Sequence, residues 1–263
     1  MSTLIVIPAR YGSSRLPGKP LLAQTGKYLI QHTYEQAARS IADRVVVATD
    51  DRWIEAAVKS FGGEVVMTSP DHETGTTRVA EVAHQTDAEI IVNLQGDEPE
   101  IDPRSIDRLI ECHRRADVFA STLACRFSAS AKSGAGSPDD PAAVKVLVGV
   151  ARGGAENGGD GPAHLRGHYF TRSIVPWPRL ENGEIANPEK HYLHMGIYAF
   201  SARSLQRFAT APPGVLEASA RLEQLRILEM GEEIAIAIVD GAAPGIDTPA
   251  DYTAFVARCP AHH

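Results

Sequence analysis

Short apolar runs alternate with amphipathic segments along the first half of the chain. Residues Leu4 to Ile7 form a continuous apolar run, which is typical of a strand buried on both faces of a parallel sheet. Comparable runs predict further strands, and apolar residues at helical spacing predict helices between them. The further predicted strands are Val45–Thr49, Glu64–Met67 and Glu89–Leu94, and the predicted helices lie near Tyr28–Ile41, from Arg52 to Gly62 with Asp50 or Asp51 as cap, and near Thr77–Gln85.

This alternation predicts the fold class, an α/β protein with a doubly wound, mainly parallel sheet. Right-handed crossovers join parallel neighbours, so the carboxyl ends of the strands gather at one edge of the sheet. Ligands bind at that edge in open α/β sheets. Two loops fall there, one after the first strand and one after Leu94, and we expect them to carry the chemistry.

The second half of the chain is less regular. Residues Ala129–Asp140 and Gly153–Gly161 are rich in Ala, Gly, Ser and Asp, a composition that predicts surface loops. The pattern predicts strands at Ala143–Val148, Met195–Phe200 and Ile234–Val239, and helices near Ala218–Met230 and after Pro249. Neither an internal repeat nor a linker is evident, so the sequence predicts one α/β domain over residues 1–263.

Charge and composition narrow the class of protein. The net charge of −7 argues against a nucleic-acid-binding protein, which would need a broad basic surface. The apolar run near the N-terminus is too short for a signal peptide or a membrane span, so no membrane partner is expected. The three cysteines are widely spaced and odd in number, which predicts reduced thiols in a cytoplasmic protein.

The loop after the first strand, Pro8–Lys19, concentrates positive charge. It carries Arg10, Arg15 and Lys19 together with Gly12 and Gly18. Glycines let a backbone approach a ligand closely, and the cations suit the oxygens of a polyphosphate. A solvated basic loop is the alternative. The segment lacks the P-loop pattern, and no dinucleotide-binding glycine motif follows the strand, which argues against an oxidoreductase.

Carboxylates mark two other loops. Asp97 and Glu98 directly follow the predicted strand that ends at Leu94, and Asp247 follows another strand-like run. Mg²⁺ prefers one or two carboxylates together with phosphate oxygens and water, so Asp97 and Asp247 are candidate metal ligands. A turn-forming role for Asp97, or an N-cap role for Asp247 before the last helix, is the alternative.

Three further groups of polar residues give weaker indications of a site. The hydroxyls and amides of Thr74–Arg78 could bind a base or an anion, or could only cap a helix. His194 and Tyr198 could belong to a site or be satisfied core groups. Glu223 and Gln224 lie on a predicted amphipathic helix and on pattern alone would be a solvated face.

Taken together, these residues resemble the 3-deoxy-manno-octulosonate (KDO) cytidylyltransferase family, the CMP-KDO synthetases. The signature Ile7–Leu21 carries the likeness first, and later motifs extend it over nearly the whole chain. These motifs are Val47–Asp50, Gly62–Val65, Val92–Pro99, Ala143–Val146, Tyr169–Arg172, Pro176–Trp177, His194–Tyr198, Leu222–Arg226 and Gly245–Pro249.

The resemblance implies transfer of CMP from CTP to the anomeric hydroxyl of an eight-carbon sugar acid, with release of pyrophosphate. It implies a homodimer with a nucleotide-diphospho-sugar transferase-like core and a smaller dimerisation region. By motif, the implied nucleotide-binding residues are Ala9, Arg10, Ser13, Arg15, Lys19, Arg78 and Gln95, with Arg15, Lys19 and Asp97 catalytic. The implied Mg²⁺ ligands are Asp97 and Asp247, and the implied sugar-acid residues are Arg172, His194, Tyr198, Glu223 and Gln224.

Two positions depart from the family pattern. Thr77 stands where an acid usually precedes the arginine, and Ala220 stands where an acid is common three residues before Glu223. Neither is a predicted phosphate or metal ligand, so the departures concern the acceptor. The alternatives are a cytidylyltransferase for a different acid, such as an amino-sugar acid, another ulosonate or a phosphonate, and a nucleotide-binding protein without catalysis.

Overall fold

The computed structural model describes residues 1–12, 15–150, 164–178 and 185–259. The chain divides into two compact units. The first contains Met1–Ile110, Ser201–Ala209 and the described part of Ala243–His263, and the second contains Glu111–Phe200 and Thr210–Ala242. The predicted single domain and the predicted dimerisation region stay predictions.

The first unit is built on four parallel strands. Their order in the sheet is β3 (Val65–Met67), β2 (Arg44–Thr49), β1 (Thr3–Ala9) and β4 (Ile90–Asn93). Ile5 of β1 pairs with Val45 of β2 on one side and with Val92 of β4 on the other. The core side chains of these strands are excluded from solvent, as the continuous apolar runs predict. The elements of this part of the chain are β1 (Thr3–Ala9), α1 (Leu29–Ala37), β2 (Arg44–Thr49), α2 (Arg52–Ser60), β3 (Val65–Met67), α3 (Gly75–His84), β4 (Ile90–Asn93) and α4 (Pro103–Arg115).

Local hydrogen bonds set the ends of the first two helices. The carboxylate of Asp51 accepts from the backbone amides of Trp53 and Ile54 and so caps α2, whereas Asp50 does not cap it. The predicted end of α1 at Ile41 is wrong. The helix ends at Ala37, where the hydroxyl of Ser40 donates to the Ala37 carbonyl and the chain leaves the helix.

The second unit has mixed strand pairing. β5 (Ala120–Arg126) runs antiparallel to β8 (Tyr192–Ser201) and parallel to β9 (Ile234–Val239). β7 (Leu165–Thr171) runs antiparallel to both β6 (Lys145–Val150) and β9. The predicted strand Ile234–Val239 is confirmed at both ends. The remaining elements of the chain are β5 (Ala120–Arg126), β6 (Lys145–Val150), β7 (Leu165–Thr171), β8 (Tyr192–Ser201), α5 (Ala202–Thr210), α6 (Val215–Ala220), α7 (Gln224–Glu229), β9 (Ile234–Val239) and α8 (Pro249–Arg258).

The single helix predicted near Ala218–Met230 is wrong. Arg221 adopts the left-handed conformation with φ 52°, and a residue in that conformation ends a helix. The segment is therefore two short helices, α6 and α7. Arg226 of α7 reaches back to Glu217 of α6 through two charge-assisted hydrogen bonds of 2.5 and 2.6 Å.

The two predicted surface loops differ in what can be said of them. Residues 129–140 contain no helix or strand, as predicted, whereas the predicted loop 153–161 lies outside the described residues. Across the described ranges, no helix combines the length and the apolar character that a membrane crossing requires.

Candidate active site

A cleft of about 350 Å³ opens in the first unit where β1 and β4 end. It lies at the carboxyl edge of the parallel strands, where the sequence predicts it. Eight of the predicted site residues line it: Ala9, Arg10, Arg15, Lys19, Arg78, Gln95, Asp97 and Asp247. The remaining lining residues are Pro8, Gly12, Pro20, His72, Glu73, Thr74, Gly75 and Gly96.

A buried side chain and a backbone hydrogen bond hold the loop between Pro8 and Lys19 in place. Leu16 is buried in an apolar cluster with Leu29, Ile246 and Phe255. Gly18 adopts φ 65° and its amide donates to the Tyr11 carbonyl at 3.3 Å, which folds the loop back on itself. These contacts present Lys19, directly after Gly18, to the cleft. The predicted nucleotide-binding residue Ser13 lies outside the described residues.

Lys19 joins the two predicted metal ligands. Its Nζ lies 2.7 Å from Asp97 Oδ2 and 3.4 Å from Asp247 Oδ1. It also donates to the Ile246 carbonyl at 2.7 Å. Arg15 Nη2 lies 3.0 Å from the same Asp247 oxygen. Residues that are far apart in sequence, at 15–19, 97 and 247, therefore form one charged cluster.

Asp247 does not cap the last helix, so that interpretation is wrong. Thr248 is the N-cap of α8, and its hydroxyl accepts from the Asp251 amide at 3.2 Å. The Asp251 carboxylate in turn accepts from the Thr248 amide at 2.8 Å, which completes a capping box. The Asp247 carboxylate is thereby left to face Arg15 and Lys19.

A third carboxyl group, Glu98, follows Asp97 and interacts with both carboxylates of the cluster. Burial, followed by the charges of Asp97 and Asp247, raises the pKa of Glu98 to about 8. Within the described residues, no three His, Cys, Asp or Glu side chains form a metal site by themselves. A pair of carboxylates completed by phosphate oxygens and water is the arrangement that Mg²⁺ uses, and Asp97 and Asp247 fit it.

Arg78 and Gln95 also line the cleft. Arg78 is buried, with Nη2 3.3 Å from Asp50 Oδ2 and Nη1 bonded to the Thr68 hydroxyl. Gln95 Nε2 donates to Asn93 Oδ1 at 3.2 Å. The helix-capping interpretation of the loop before Arg78 is confirmed, because Thr74 is the N-cap of α3 and its hydroxyl accepts from the Thr77 amide.

His72 lines the cleft and was not predicted. Its Nε2 lies 2.5 Å from Glu81 Oε2, and that carboxylate oxygen also accepts from the Ser69 amide at 3.0 Å. A lone histidine in a polar loop carries no periodic or motif signal. Only its position in the cleft and its contact with Glu81, in the second turn of α3, identify it.

The second unit contains a separate polar cluster. His194 Nε2 lies 3.1 Å from the Thr122 hydroxyl, and its ring lies 4.9 Å from that of Phe170 and 5.5 Å from that of Tyr198. Burial lowers the pKa of His194 to about 3. Burial, and then the charge of Glu223, raises the pKa of Tyr198 well above its usual value. Both side chains are therefore neutral hydrogen-bonding groups near pH 7.

Arg172 and Gln224, the remaining predicted sugar-acid residues, have other surroundings. Arg172 Nη1 donates to the Pro141 carbonyl at 3.1 Å, and its own carbonyl accepts from buried Lys145 at 2.5 Å. Gln224 is buried as the first residue of α7. The structure thus groups His194, Tyr198 and Glu223, and directs the Arg172 guanidinium to a loop carbonyl.

Comparison with known proteins agrees with this geometry. A relative from Rhodopirellula baltica named 3-deoxy-manno-octulosonate cytidylyltransferase is 44% identical, over 98% of both chains. One from Shewanella amazonensis, named 8-amino-3,8-dideoxy-manno-octulosonate cytidylyltransferase, is 39% identical over 98% of this chain and 97% of that one. A solved CMP:2-keto-3-deoxy-manno-octonic acid synthetase complexed with CTP has a TM-score of 0.84, at 39% identity and 98% coverage of both chains. The cytidylyltransferase family model matches residues 4–234, and the chain belongs to this family.

Proposed function

We propose that this enzyme transfers CMP from CTP to the anomeric hydroxyl of KDO and releases pyrophosphate. The observation that carries the proposal is the charged cluster of Arg15, Lys19, Asp97 and Asp247 at the mouth of the cleft. Its cations match a triphosphate and its carboxylates match a divalent ion. The names of the similar proteins support cytidine as the base and KDO as the acceptor.

In the proposed reaction the anomeric oxygen attacks the α-phosphorus of CTP. A bond forms between that oxygen and phosphorus, the bond from phosphorus to the pyrophosphate oxygen breaks, and the hydroxyl proton passes to solvent. Arg10, Arg15 and Lys19 bind the triphosphate, and Arg15 and Lys19 neutralise the charge that grows on pyrophosphate. Ala9, Ser13, Arg78 and Gln95 contact the rest of the nucleotide.

We propose Mg²⁺ as the cofactor, held by Asp97 and Asp247. A bound magnesium ion lowers the pKa of a coordinated hydroxyl and offsets phosphate charge. Lys19 lies between the two carboxylates, at 2.7 Å and 3.4 Å. Asp97 and Asp247 would hold the ion, and Lys19 beside them would bind phosphate oxygens.

We assign the sugar acid to the predicted residues of the second unit: Arg172, His194, Tyr198, Glu223 and Gln224. Neutral His194 and Tyr198 suit the hydroxyl groups of a sugar, which both donate and accept hydrogen bonds. A homodimer in the cytoplasm is also proposed. Light scattering would test the homodimer.

A second acceptor is a candidate because one relative is named for the 8-amino-3,8-dideoxy sugar acid. The deciding experiment measures pyrophosphate release from CTP with KDO, its 8-amino analogue, an amino-sugar acid, another ulosonate and a phosphonate in turn. The proposal expects the highest kcat/KM with KDO. Release with another acid and none with KDO would reject KDO as the acceptor. CTP binding by calorimetry without turnover on any acid would instead favour a non-catalytic nucleotide-binding protein.

A further inference from the structure

A chain of buried side-chain hydrogen bonds leads from the core of the first unit to Gln95. The Asn93 amide nitrogen donates to the Thr76 hydroxyl at 3.1 Å, and Asn93 Oδ1 accepts from Gln95 Nε2 at 3.2 Å. Asn93 is the last residue of β4 and is 1% exposed, and Thr76 lies in the first turn of α3 and is 3% exposed. Gln95 is the only member of this chain of three that lines the cleft.

In this chain the nitrogen end of the Gln95 amide is bonded to Asn93, which leaves the oxygen end for the cleft. A primary amide has an acceptor oxygen on one side and a donor nitrogen on the other, so a half-turn of the group exchanges the two. With Nε2 bonded to Asn93, Oε1 lies on the side of Gly75, 3.8 Å from where a Cβ at that glycine would stand. Gln95 therefore presents an acceptor to the cleft.

Arg78 also lines the cleft and supplies the complementary group. Its guanidinium has only donors, and Asp50 and Thr68 hold it in place. The edge of cytosine offers a donor, the 4-amino group, and two acceptors, N3 and O2. Uracil offers an acceptor at position 4 and a donor at N3, so its 4-oxygen would meet the Gln95 oxygen with no hydrogen between them.

We propose that Asn93 and Thr76 are positioning residues that fix the Gln95 amide and thereby make the cleft select cytosine over uracil. This inference rests on the proposed function only in that the cleft binds a pyrimidine nucleotide. A site built to hydrogen-bond one pattern of donors and acceptors rejects the other pattern because its polar groups would be left unpaired. Asn93 and Thr76 act through Gln95 and do not touch the nucleotide.

The central test replaces Thr76 with Val, which removes the hydroxyl and keeps the shape of the side chain. Calorimetry measures the dissociation constants for CTP and UTP without acceptor, and steady-state kinetics measures kcat and KM for both. Thr76→Ser restores a hydroxyl. Thr33→Val is the matched control, because Thr33 is also fully buried and its hydroxyl donates to the Gly96 carbonyl at 3.1 Å, outside the Gln95 amide chain. Asn93→Ala removes the acceptor for Gln95 directly, and its thermal melt reports folding.

We expect Thr76→Val to lower the CTP-to-UTP ratio of binding constants about 3- to 10-fold, the equivalent of one oriented hydrogen bond. Its KM for CTP should rise while kcat at saturating CTP stays within about twofold, and Thr76→Ser should restore the ratio. Asn93→Ala should lower the ratio at least as far. An unchanged ratio in folded Thr76→Val, or an equal fall in Thr33→Val, would overturn the inference. Failure of the wild type to use any sugar acid, with CTP still bound more tightly than UTP, would reject the proposed function and leave this inference standing.

Discussion

The Arg15–Asp247 ion pair of the first unit and the Arg226–Glu217 ion pair of the second unit have opposite surroundings. In the cleft of the first unit, Arg15 and Asp247 are paired while more than half of each side chain is exposed, at 64% and 51%. In the second unit the ion pair of Arg226 and Glu217 is buried, at 7% and 11% exposed, and His194 is held neutral. Water and ions can replace a partner in the exposed pair, whereas they cannot reach the buried pair.

This difference separates side chains that can exchange partners from side chains that hold the fold. A cation in an open cleft can leave a carboxylate for a phosphate at small cost, because both states are partly solvated. A buried charge cannot lose its partner without a large desolvation penalty. We therefore expect substitutions in the cleft to reduce activity and substitutions of buried charges in the second unit to reduce stability.

The largest effect is expected for Arg226→Met. It leaves the Glu217 carboxylate buried without the guanidinium that now makes two hydrogen bonds to it at 2.5 and 2.6 Å. Breaking a buried pair in this way costs about 3–5 kcal/mol of unfolding free energy. Urea denaturation of the wild type and the variant measures the change.

The double variant Arg226→Met with Glu217→Gln is the control for that prediction. Removing both charges should recover much of the lost stability, because no buried charge remains. A single variant that loses less than about 1 kcal/mol would contradict the assignment, since that is the loss typical of an exposed pair.

The second-largest effect is expected on kcat, from a substitution in the cleft of the first unit. Asp97→Asn removes the charge that Lys19 and the proposed Mg²⁺ share, while Lys19 keeps its bond to the Ile246 carbonyl. Loss of one preorganised electrostatic group costs about 2.7–4 kcal/mol of barrier, or about 100- to 1,000-fold in kcat. Pyrophosphate release at saturating CTP and Mg²⁺ measures it, and the melting temperature should change little.

Asp102→Asn is the matched control, because Asp102 is an exposed carboxylate paired with Arg104 outside the cleft. It should keep the wild-type kcat. Near-normal turnover of Asp97→Asn under the same conditions would reject Asp97 as a metal ligand and as a catalytic residue.

The position of the cleft in the first unit could be predicted from sequence because its parallel strands carry continuous apolar runs. Such runs locate β1 and β4, and the loops after them must meet at one edge of the sheet. That rule alone brings the loop with Lys19 to the loop with Asp97. It gives no information about Asp50, whose contact with Arg78 depends on how α3 packs, and it places no constraint on His72.

The second unit was harder to predict because its pairings are mostly non-local. The strands β5 and β7 were missed, and with β5 the residue Thr122 that contacts His194. The helices α4 and α5 were also missed, but they lie mainly in the first unit. A strand such as β5, whose first six residues are all buried, has no alternating pattern that separates it from a buried helix. The break between α6 and α7 depends on one left-handed residue, Arg221, which is not a residue type that usually adopts that conformation.

A smaller effect is expected on the pH dependence of stability, from His113 in the second unit. Burial lowers the pKa of His113 to about 4, and its Nδ1 lies 2.9 Å from the Ser121 hydroxyl. The unfolded chain takes up this proton near the ordinary histidine pKa of 6.5 and the folded chain does not. The stability from neutral His113 is therefore complete above about pH 6.5 and is lost as pH falls toward 4.

We expect His113→Gln to reduce the slope of unfolding free energy against pH, between pH 6 and 5, by up to about 1.4 kcal/mol per pH unit. Urea denaturation at several pH values measures both slopes. The comparison with wild type is needed because Glu98, with its raised pKa, contributes in the opposite direction in both proteins. Equal slopes would mean that His113 is protonated in the folded state.

The smallest effect tests the other side of the comparison, an exposed ion pair in the first unit. Arg44 and Glu64 form a two-pronged contact, yet both side chains are more than two-fifths exposed. Solvent screens such a pair, and exposed pairs contribute about 0–1 kcal/mol. Glu64→Gln should therefore change the unfolding free energy by less than about 1 kcal/mol and leave kcat unchanged. A loss of unfolding free energy as large as that of Arg226→Met would contradict this comparison. An exposed ion pair would then stabilise the fold as much as a buried one.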